Sequence, residues 1–463
     1  MSVLFIDPPR GAISKGTMWR VIKRSLPSLG LAYIAAYLEQ RGHRVSIIDL
    51  NAEPIGIDGL LKRIEQNKCR MVGITATTVQ INSALIIAKT IKEKFSGIKI
   101  IMGGPHPSIM SDEVLSAEFV DYIVRQEGEL TMLDLVEGKV PEQILGLSYK
   151  KNGVIIHNPP RPFIDNLDTL PFPARHLLPM EHYSPTLGNY KRLPATSMIT
   201  TRGCPGKCTF CNTDLFGKSI RVRSAENIVK EIIALIKNYK IKEVSFYDDT
   251  FTVNKKNIQE FCSTIIKNNI DITWSCMSRI DCTTSDLLEV MKKAGCHSIC
   301  YGIESADEQI LCNINKRISL DHAKEVIKWT KKANIDVRIS LMLGNPGETN
   351  KTLEKTIRYA ISLQPDIFIF NITTPFPGTE MFKWAKANNY LTTFNWDEYD
   401  LGRAVMNLPT VSPETIKRYY RLAYRRCYLR PAYLIQRLTK IRSYESLVMH
   451  IRVLRTMVFK GIF

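Results

Sequence analysis

The chain has no apolar run of the eighteen or more residues that a membrane-crossing helix needs; the nearest, residues 26–38, stops at Glu39. It has no low-complexity tract and no internal repeat, which excludes fibrous and solenoid architectures. Acidic residues are outnumbered, 45 Asp and Glu against 63 Lys and Arg, for a net charge of +18. That balance suits nucleic acid, an acidic substrate or a membrane surface and selects none of them. The opening residues MSVLFID have the pattern of a strand, so no secretory signal is expected. The 11 cysteines are then expected in a reducing, cytoplasmic setting, as thiols or metal ligands rather than disulfides. What remains is an ordinary globular composition, 44% hydrophobic and 23% charged over 463 residues. That length allows two or three domains, each burying its own core.

Residues 1–140 alternate strand and helix patterns. Short apolar strands are predicted at 3–6, 45–49, 71–75, 99–102 and 122–124, with helices at 26–40, 58–67, 80–95 and 128–137 between them. This rhythm predicts a parallel, doubly wound sheet whose ligand edge is the carboxyl end of its strands. In residues 141–194 the pattern changes. Asn152-Gly153 between LSYKK and VIIHN signals a hairpin, and proline-rich chain follows. The segment is expected to be a linker that crosses between domains. From 195 to 380 the alternation resumes, with strands predicted at 196–200, 243–247, 272–276, 298–302, 336–341 and 366–371. Six units are too few for a closed eight-fold barrel and predict a partial (β/α)6 barrel, again with its active edge at the strand C-termini. Residues 381–463 read as a basic, helical region. Between 416 and 463 there are twelve Lys or Arg and one Glu, interleaved with Tyr, Leu and Ile.

The densest chemistry is Thr201-Arg-Gly-Cys204-Pro-Gly-Lys-Cys208-Thr-Phe-Cys211, just after the first predicted barrel strand. Soft thiolates on a tight loop suit zinc or an iron–sulfur cluster. A structural zinc normally takes four protein ligands, and no nearby Cys or His supplies the fourth at finger-like spacing. Three thiolates on a four-iron cube leave one iron open. The motif at this position resembles the radical S-adenosylmethionine (SAM) superfamily. The resemblance implies a 4Fe-4S cluster on Cys204, Cys208 and Cys211, with SAM on the open iron. By the same resemblance Phe210 lies near the adenine. Asp248 and Asp249 in SFYDDTFT make a polar contact to the SAM amino group, and Arg279 in SCMSRID pairs with its carboxylate. Glu304 and Ser305 in CYGIESAD meet the ribose, and Gly344 belongs to the GNPGET segment after the fifth strand. No catalytic side chain beyond the cluster ligands is singled out. Cys69, Cys262, Cys276, Cys282, Cys296, Cys300, Cys312 and Cys427 have no tight ligand spacing and are expected to be buried small hydrophobes.

The segments SLPSLGLAYIAAYLEQRGHRV, GITATT, IMGGPHPS and VRQEGE place small or polar residues after strands of the first domain. They resemble the cobalamin-binding, Rossmann-like domain of one large branch of that superfamily. The resemblance implies cobalamin contacts from Thr75, Thr77 and Thr78, from Gly103 and Gly104, where a flat ring can approach the backbone, and from Glu127 and Gly128. Cobalt ligation by histidine is not implied, because the chain lacks Asp-x-His-x-x-Gly; His106 is read as a loop histidine. The overall order resembles the branch of anaerobic magnesium-protoporphyrin ester cyclases and carbon methyltransferases. It implies methyl transfer to an unactivated carbon of a small-molecule or lipid-like substrate, with radical oxidation or ring closure as the alternative enzyme. A non-catalytic iron–sulfur protein is the alternative from another class. An external electron donor such as flavodoxin or ferredoxin is implied. The basic, tyrosine-rich segment reads as a solvated helical cap closing the barrel; its end IRVLRTMVFKGIF spaces apolar and cationic residues as a helix lying on anionic lipid does, which leaves peripheral membrane contact open, and no nucleic-acid partner is expected.

Overall fold

A computed structural model describes residues 2–10, 26–183, 185 and 190–438. Two parallel sheets organise the chain, as the alternation predicts. The first holds β1 (Ser2–Asp7), β2 (Arg44–Asp49), β3 (Met71–Thr75), β4 (Lys99–Gly103) and β5 (Tyr122–Val124). They lie in the order β2-β1-β3-β4-β5, a doubly wound arrangement with its topological switch between β1 and β3. The strands are continuous apolar runs, as in Leu4, Phe5 and Ile6, because helices cover both faces.

The segment expected to be a linker does more than cross between domains. Its hairpin, β6 (Leu147–Lys151) and β7 (Val154–His157), adds two antiparallel strands to the edge at β5. Asn152 and Gly153 both take positive φ, 52° and 79°, as a tight hairpin turn demands. The proline-rich chain after it packs Leu167, Leu170, Ala174, Leu178 and Tyr183 on one face of the first sheet. The other face is completed by Phe382, Trp396, Tyr399 and Val405, from far along the sequence. Period-two patterning reads strand existence well, but it carries no information about which distant edge a hairpin joins.

The second sheet begins with β8 (Ala195–Met198). After a small antiparallel pair, β9 (Thr201–Arg202) and β10 (Arg221–Val222), it continues through β11 (Glu243–Phe246), β12 (Thr273–Ser278), β13 (Cys296–Glu304), β14 (Asp336–Leu343) and β15 (Ile367–Ile372). The order β15-β14-β13-β12-β11-β8 is that of an open six-stranded parallel barrel. One face packs Val244, Trp274, Ile299, Tyr301, Val337 and Ile339 against the surrounding helices. The inner face carries Ser197, Ser245, Ser275 and Ser298, which stand in register across four adjacent strands.

An open barrel leaves β15 with unpaired backbone groups. The helix Pro413–Tyr428 supplies partners from its side chains. The Tyr424 hydroxyl accepts from Phe370 N–H at 3.1 Å and donates to Phe370 C=O at 3.0 Å. Tyr428 does the same at Phe368, at 3.0 and 2.7 Å, and Tyr433 donates to Asp366 C=O at 2.8 Å. Tyr424, Tyr428 and Tyr433 of the basic tail are therefore engaged at the barrel edge. The segment IRVLRTMVFKGIF lies outside the described residues, and among those described no helix is long and apolar enough to cross a membrane.

A Tyr424→Phe variant strands one buried N–H and one buried C=O. It should lose about 2 kcal/mol of stability, seen as a lower urea midpoint, and adding Tyr428→Phe should lower the midpoint further.

Candidate functional site

The cysteine loop leaves the C-terminal end of β8 and is fixed from several sides. Cys204 N–H donates to Gly217 C=O at 3.2 Å, Thr209 N–H to Ile314 C=O at 3.0 Å, and Met381 N–H to Thr209 C=O at 2.9 Å. Asn315 Nδ2 donates to Lys207 C=O at 2.8 Å. Cys204 and Cys208 are half-buried and Cys211 is exposed. Gly206 sits between the first two. A Cβ there would stand 3.3 Å from Cys204 Sγ and 3.4 Å from Arg279 Nη1, so Arg279 is brought to the loop as its strand position suggests. Among the described residues no three Cys, His, Asp or Glu side chains are arranged to share one metal ion.

Asp248, expected at the SAM amino group, has its carboxylate committed elsewhere. Oδ1 accepts from Thr200 N–H at 2.6 Å and Thr201 N–H at 2.8 Å, and Oδ2 from the Thr200 hydroxyl at 2.6 Å. It is buried, and burial pushes its pKa up to about 6 against the opposing pull of these bonds. Asp248 thus staples the chain just ahead of Cys204. Its neighbour Asp249 is exposed, and Phe210 is half-buried against the barrel core. Glu304 ends β13 at a bulge, with φ at +69°, a region costly for a side chain and concentrated at functional sites. Its carboxylate meets Lys316 Nζ at 3.2 Å, and both residues are buried. Burial alone would lower the Lys316 ammonium, but Glu304 and the nearby Cys208 hold it above its ordinary value. Gly302 makes room for the pair, since a Cβ there would stand 3.1 Å from Lys316 Nζ. Sequence reasoning missed Lys316, which sits in an unremarkable NKR run; only the fold brings it beside Cys208. Ser305 is fully buried and faces Thr356 at 3.4 Å and Asp307 N–H at 3.2 Å. Gly344 packs under Ile416 of the C-terminal helix, and its N–H is held by Glu348. Burial pushes Glu348 up to about 7.

At the first sheet, Thr75 and Gly103 end β3 and β4 at the carboxyl edge. Gly104 takes φ +88° and closes on Thr75 and Ala76, with Ala76 C=O 3.0 Å from any Cβ. Its lack of a side chain answers to this turn, and not only to a ligand as the sequence suggested. The Thr77 hydroxyl bonds Gln80 at 2.7 Å, and Thr78 lies 3.3 Å from Nδ1 of the fully buried His106. Gly128 packs beneath Ile34. Glu127, expected at the cobalamin, is buried in an ion network instead. Arg202 bonds Glu127 at 2.8 Å and Glu129 at 2.6 Å, Arg221 bonds Glu127 at 2.8 Å, and Ile164 N–H donates to Glu127 at 2.8 Å. The carboxyl edge of the first sheet is thereby tied to the residue two positions before Cys204. Gln126 adds a bond to Asp214 C=O at 2.8 Å, and Trp396 Nε1 one to Glu113 at 2.6 Å.

Residues 17–136 match the B12 binding domain family and residues 198–360 the radical SAM superfamily. The chain is 38% identical to an uncharacterized methyltransferase of Pyrococcus horikoshii, over 94% of each chain. It is 28% identical to the anaerobic magnesium-protoporphyrin IX monomethyl ester cyclase of Rubrivivax gelatinosus, over 97% of this chain and 81% of that one. Its fold matches the radical SAM methyltransferase TsrM of Kitasatospora setae, a structure with cobalamin and a [4Fe-4S] cluster bound. The TM-score is 0.68 at 16% identity, covering 84% of this chain and 75% of that one.

The Asp248 staple predicts opposite results for two variants. Asp248→Ala leaves three buried donors unsatisfied, should cost about 3 kcal/mol, and should lower the iron retained per chain. Asp248→Asn can keep an acceptor for both N–H groups and a donor for Thr200, and should retain most of its iron. Equal losses in both, read by urea melts and iron assay, would show that the negative charge itself is what matters.

Proposed function

The chain belongs to the radical SAM superfamily, in the branch with a B12 binding domain ahead of the barrel, and from that premise we propose a cobalamin-dependent methyltransferase acting on an unactivated carbon of a small-molecule or lipid-like substrate. The observation that carries the proposal is the meeting of two carboxyl sheet edges, with three thiols of one loop at their junction and the Arg202–Glu127 pair holding them together. Ligands of parallel sheets bind at such edges, so a cofactor on each sheet would face the other across the substrate.

The donor set fits a cluster: three cysteines, a glycine between two of them, and two cations, Arg279 and Lys316, close to the loop. When bound, the cluster and cobalamin would supply one-electron cleavage of SAM to a hydrogen-abstracting carbon radical and a methyl group for the substrate. Cys204, Cys208 and Cys211 would hold the cluster as thiolates. Arg279 and Lys316 would offset negative charge at the loop and on the SAM carboxylate, with Glu304 orienting the Lys316 ammonium. Exposed Asp249 is the free acid nearest the β11 end for the SAM amino group, a place Asp248 cannot fill while bonded to Thr200 and Thr201. Thr75 and Gly103, at the β3 and β4 ends, would line the cobalamin side. Reducing equivalents would come from an external donor such as flavodoxin or ferredoxin. Ring closure or oxidation is the second reading, favoured by the 28% identity to the cyclase along 97% of the chain.

Anaerobically reconstituted protein should hold about four irons on the trio and one cobalamin. With SAM and reductant it should form 5′-deoxyadenosine. S-Adenosylhomocysteine as co-product marks methyl transfer, and its absence alongside substrate oxidation marks the second reading. Cys208→Ala should abolish cluster absorbance and SAM cleavage; cleavage retained in that variant overturns the assignment.

A further inference from the structure

Arg338 is the third residue of β14 and is 6% exposed. Its neighbours Val337 and Ile339 are buried in the barrel core, so strand alternation turns Arg338 and Ser340 to the opposite, inner face. Its Nε is buried without a hydrogen-bond partner, and the guanidinium enters none of the ion pairs or hydrogen bonds among the described residues. The side chain level with it on β13 is Cys300, whose thiol burial holds above its ordinary pKa and therefore uncharged. Glu304, at the end of that strand, is taken by Lys316, and Asp366 at the start of β15 accepts from Val337 N–H. Guanidinium does not lose its proton in proteins, and a buried charge without a counter-ion is among the costliest features a fold can carry. One residue pair up the same face, Ser340 Oγ stands 3.4 Å from Asn371 Nδ2. Asn371 Oδ1 is also buried with no partner. An unanswered cation and an unanswered acceptor thus lie on the inner face of adjacent strands, with Ser340 between them along β14.

We propose that Arg338 and Asn371 form a substrate subsite that binds an oxyanion, a carboxylate or phosphate-type group, with a hydrogen-bond donor of the same molecule set against Asn371. The inference rests on the function proposed above for its location, since the inner face of the barrel is where that substrate would sit. Planar bidentate pairing is what guanidinium offers such anions. The alternative source of the anion is the carboxylate of SAM. Arg338 lies on the strand body below the loop, whereas Arg279 already touches the loop, which favours the substrate.

The test titrates inorganic phosphate and succinate into the protein before and after anaerobic reconstitution, with SAM present in the second case, and reads Kd by calorimetry. The wild type should bind one of the two saturably, and Arg338→Gln should bind it at least tenfold more weakly while its affinity for SAM stays within twofold. Arg338→Met, which removes an unpaired buried charge, should melt at a higher temperature than the wild type without ligand. No saturable anion binding by the wild type, unchanged affinity in Arg338→Gln, or a lower melting temperature for Arg338→Met overturns the proposal. A tenfold loss of SAM affinity in Arg338→Gln overturns it too and assigns the guanidinium to SAM. Failure of the wild type to assemble a cluster or form 5′-deoxyadenosine strikes the function above instead, because the anion titration is also read on the unreconstituted chain.

Discussion

Glu127 carries a negative charge into a place with almost no water. Two guanidiniums and a backbone N–H answer it: Arg202, Arg221 and Ile164. A buried carboxylate so surrounded gains little stability over an apolar packing, but loss of one partner costs roughly 3–5 kcal/mol. The arrangement therefore acts less as glue than as a gauge. It tolerates one relative placement of the two sheets and penalises others. Because Arg202 also bonds Glu129, the orientation of β9 is fixed from the first domain, and Cys204 follows two residues later. The cysteine loop is thus positioned from both sides of the junction, by Asp248 from within the barrel and by Glu127 from outside it.

The same logic runs through the barrel interior. Several charges buried in and around the barrel have a dedicated partner: Glu304 with Lys316, Glu231 with Arg175 and Arg223, Glu243 with His297. Against that background the isolation of Arg338 is conspicuous. Sites that bind charged molecules are the places where a protein tolerates an unsatisfied group, at a cost in stability.

Much of the architecture was legible in the residues. All six barrel strands and the five parallel strands of the first sheet fall at the predicted places, because buried parallel strands are short apolar runs set between amphipathic helices. The cysteine loop was legible because its spacing is local. What escaped was everything set by distant partners. Glu127 and Arg202 are 75 positions apart, and no period or motif links them. GEGE-like charge at a helix start reads equally as a ligand contact. Asp248 and Asp249 are adjacent and chemically identical, and only the fold shows that one is tied to Thr200 while the other stays exposed. The basic helical segment reads as a cap on the barrel, but its tyrosines at 424, 428 and 433 give no sign that they answer the backbone of β15, since an edge strand's need for partners is invisible until the sheet order is known.

The face of the first sheet covered by Phe382, Trp396, Tyr399 and Val405 has a temporal consequence. A ribosome adds about 5–20 residues per second, and roughly 260 residues separate Ile123 in β5 from Phe382. For tens of seconds, then, the nascent first domain exists with a bare apolar patch over Leu4, Ile6 and Ile100. Its final closure waits on chain that has not yet been made.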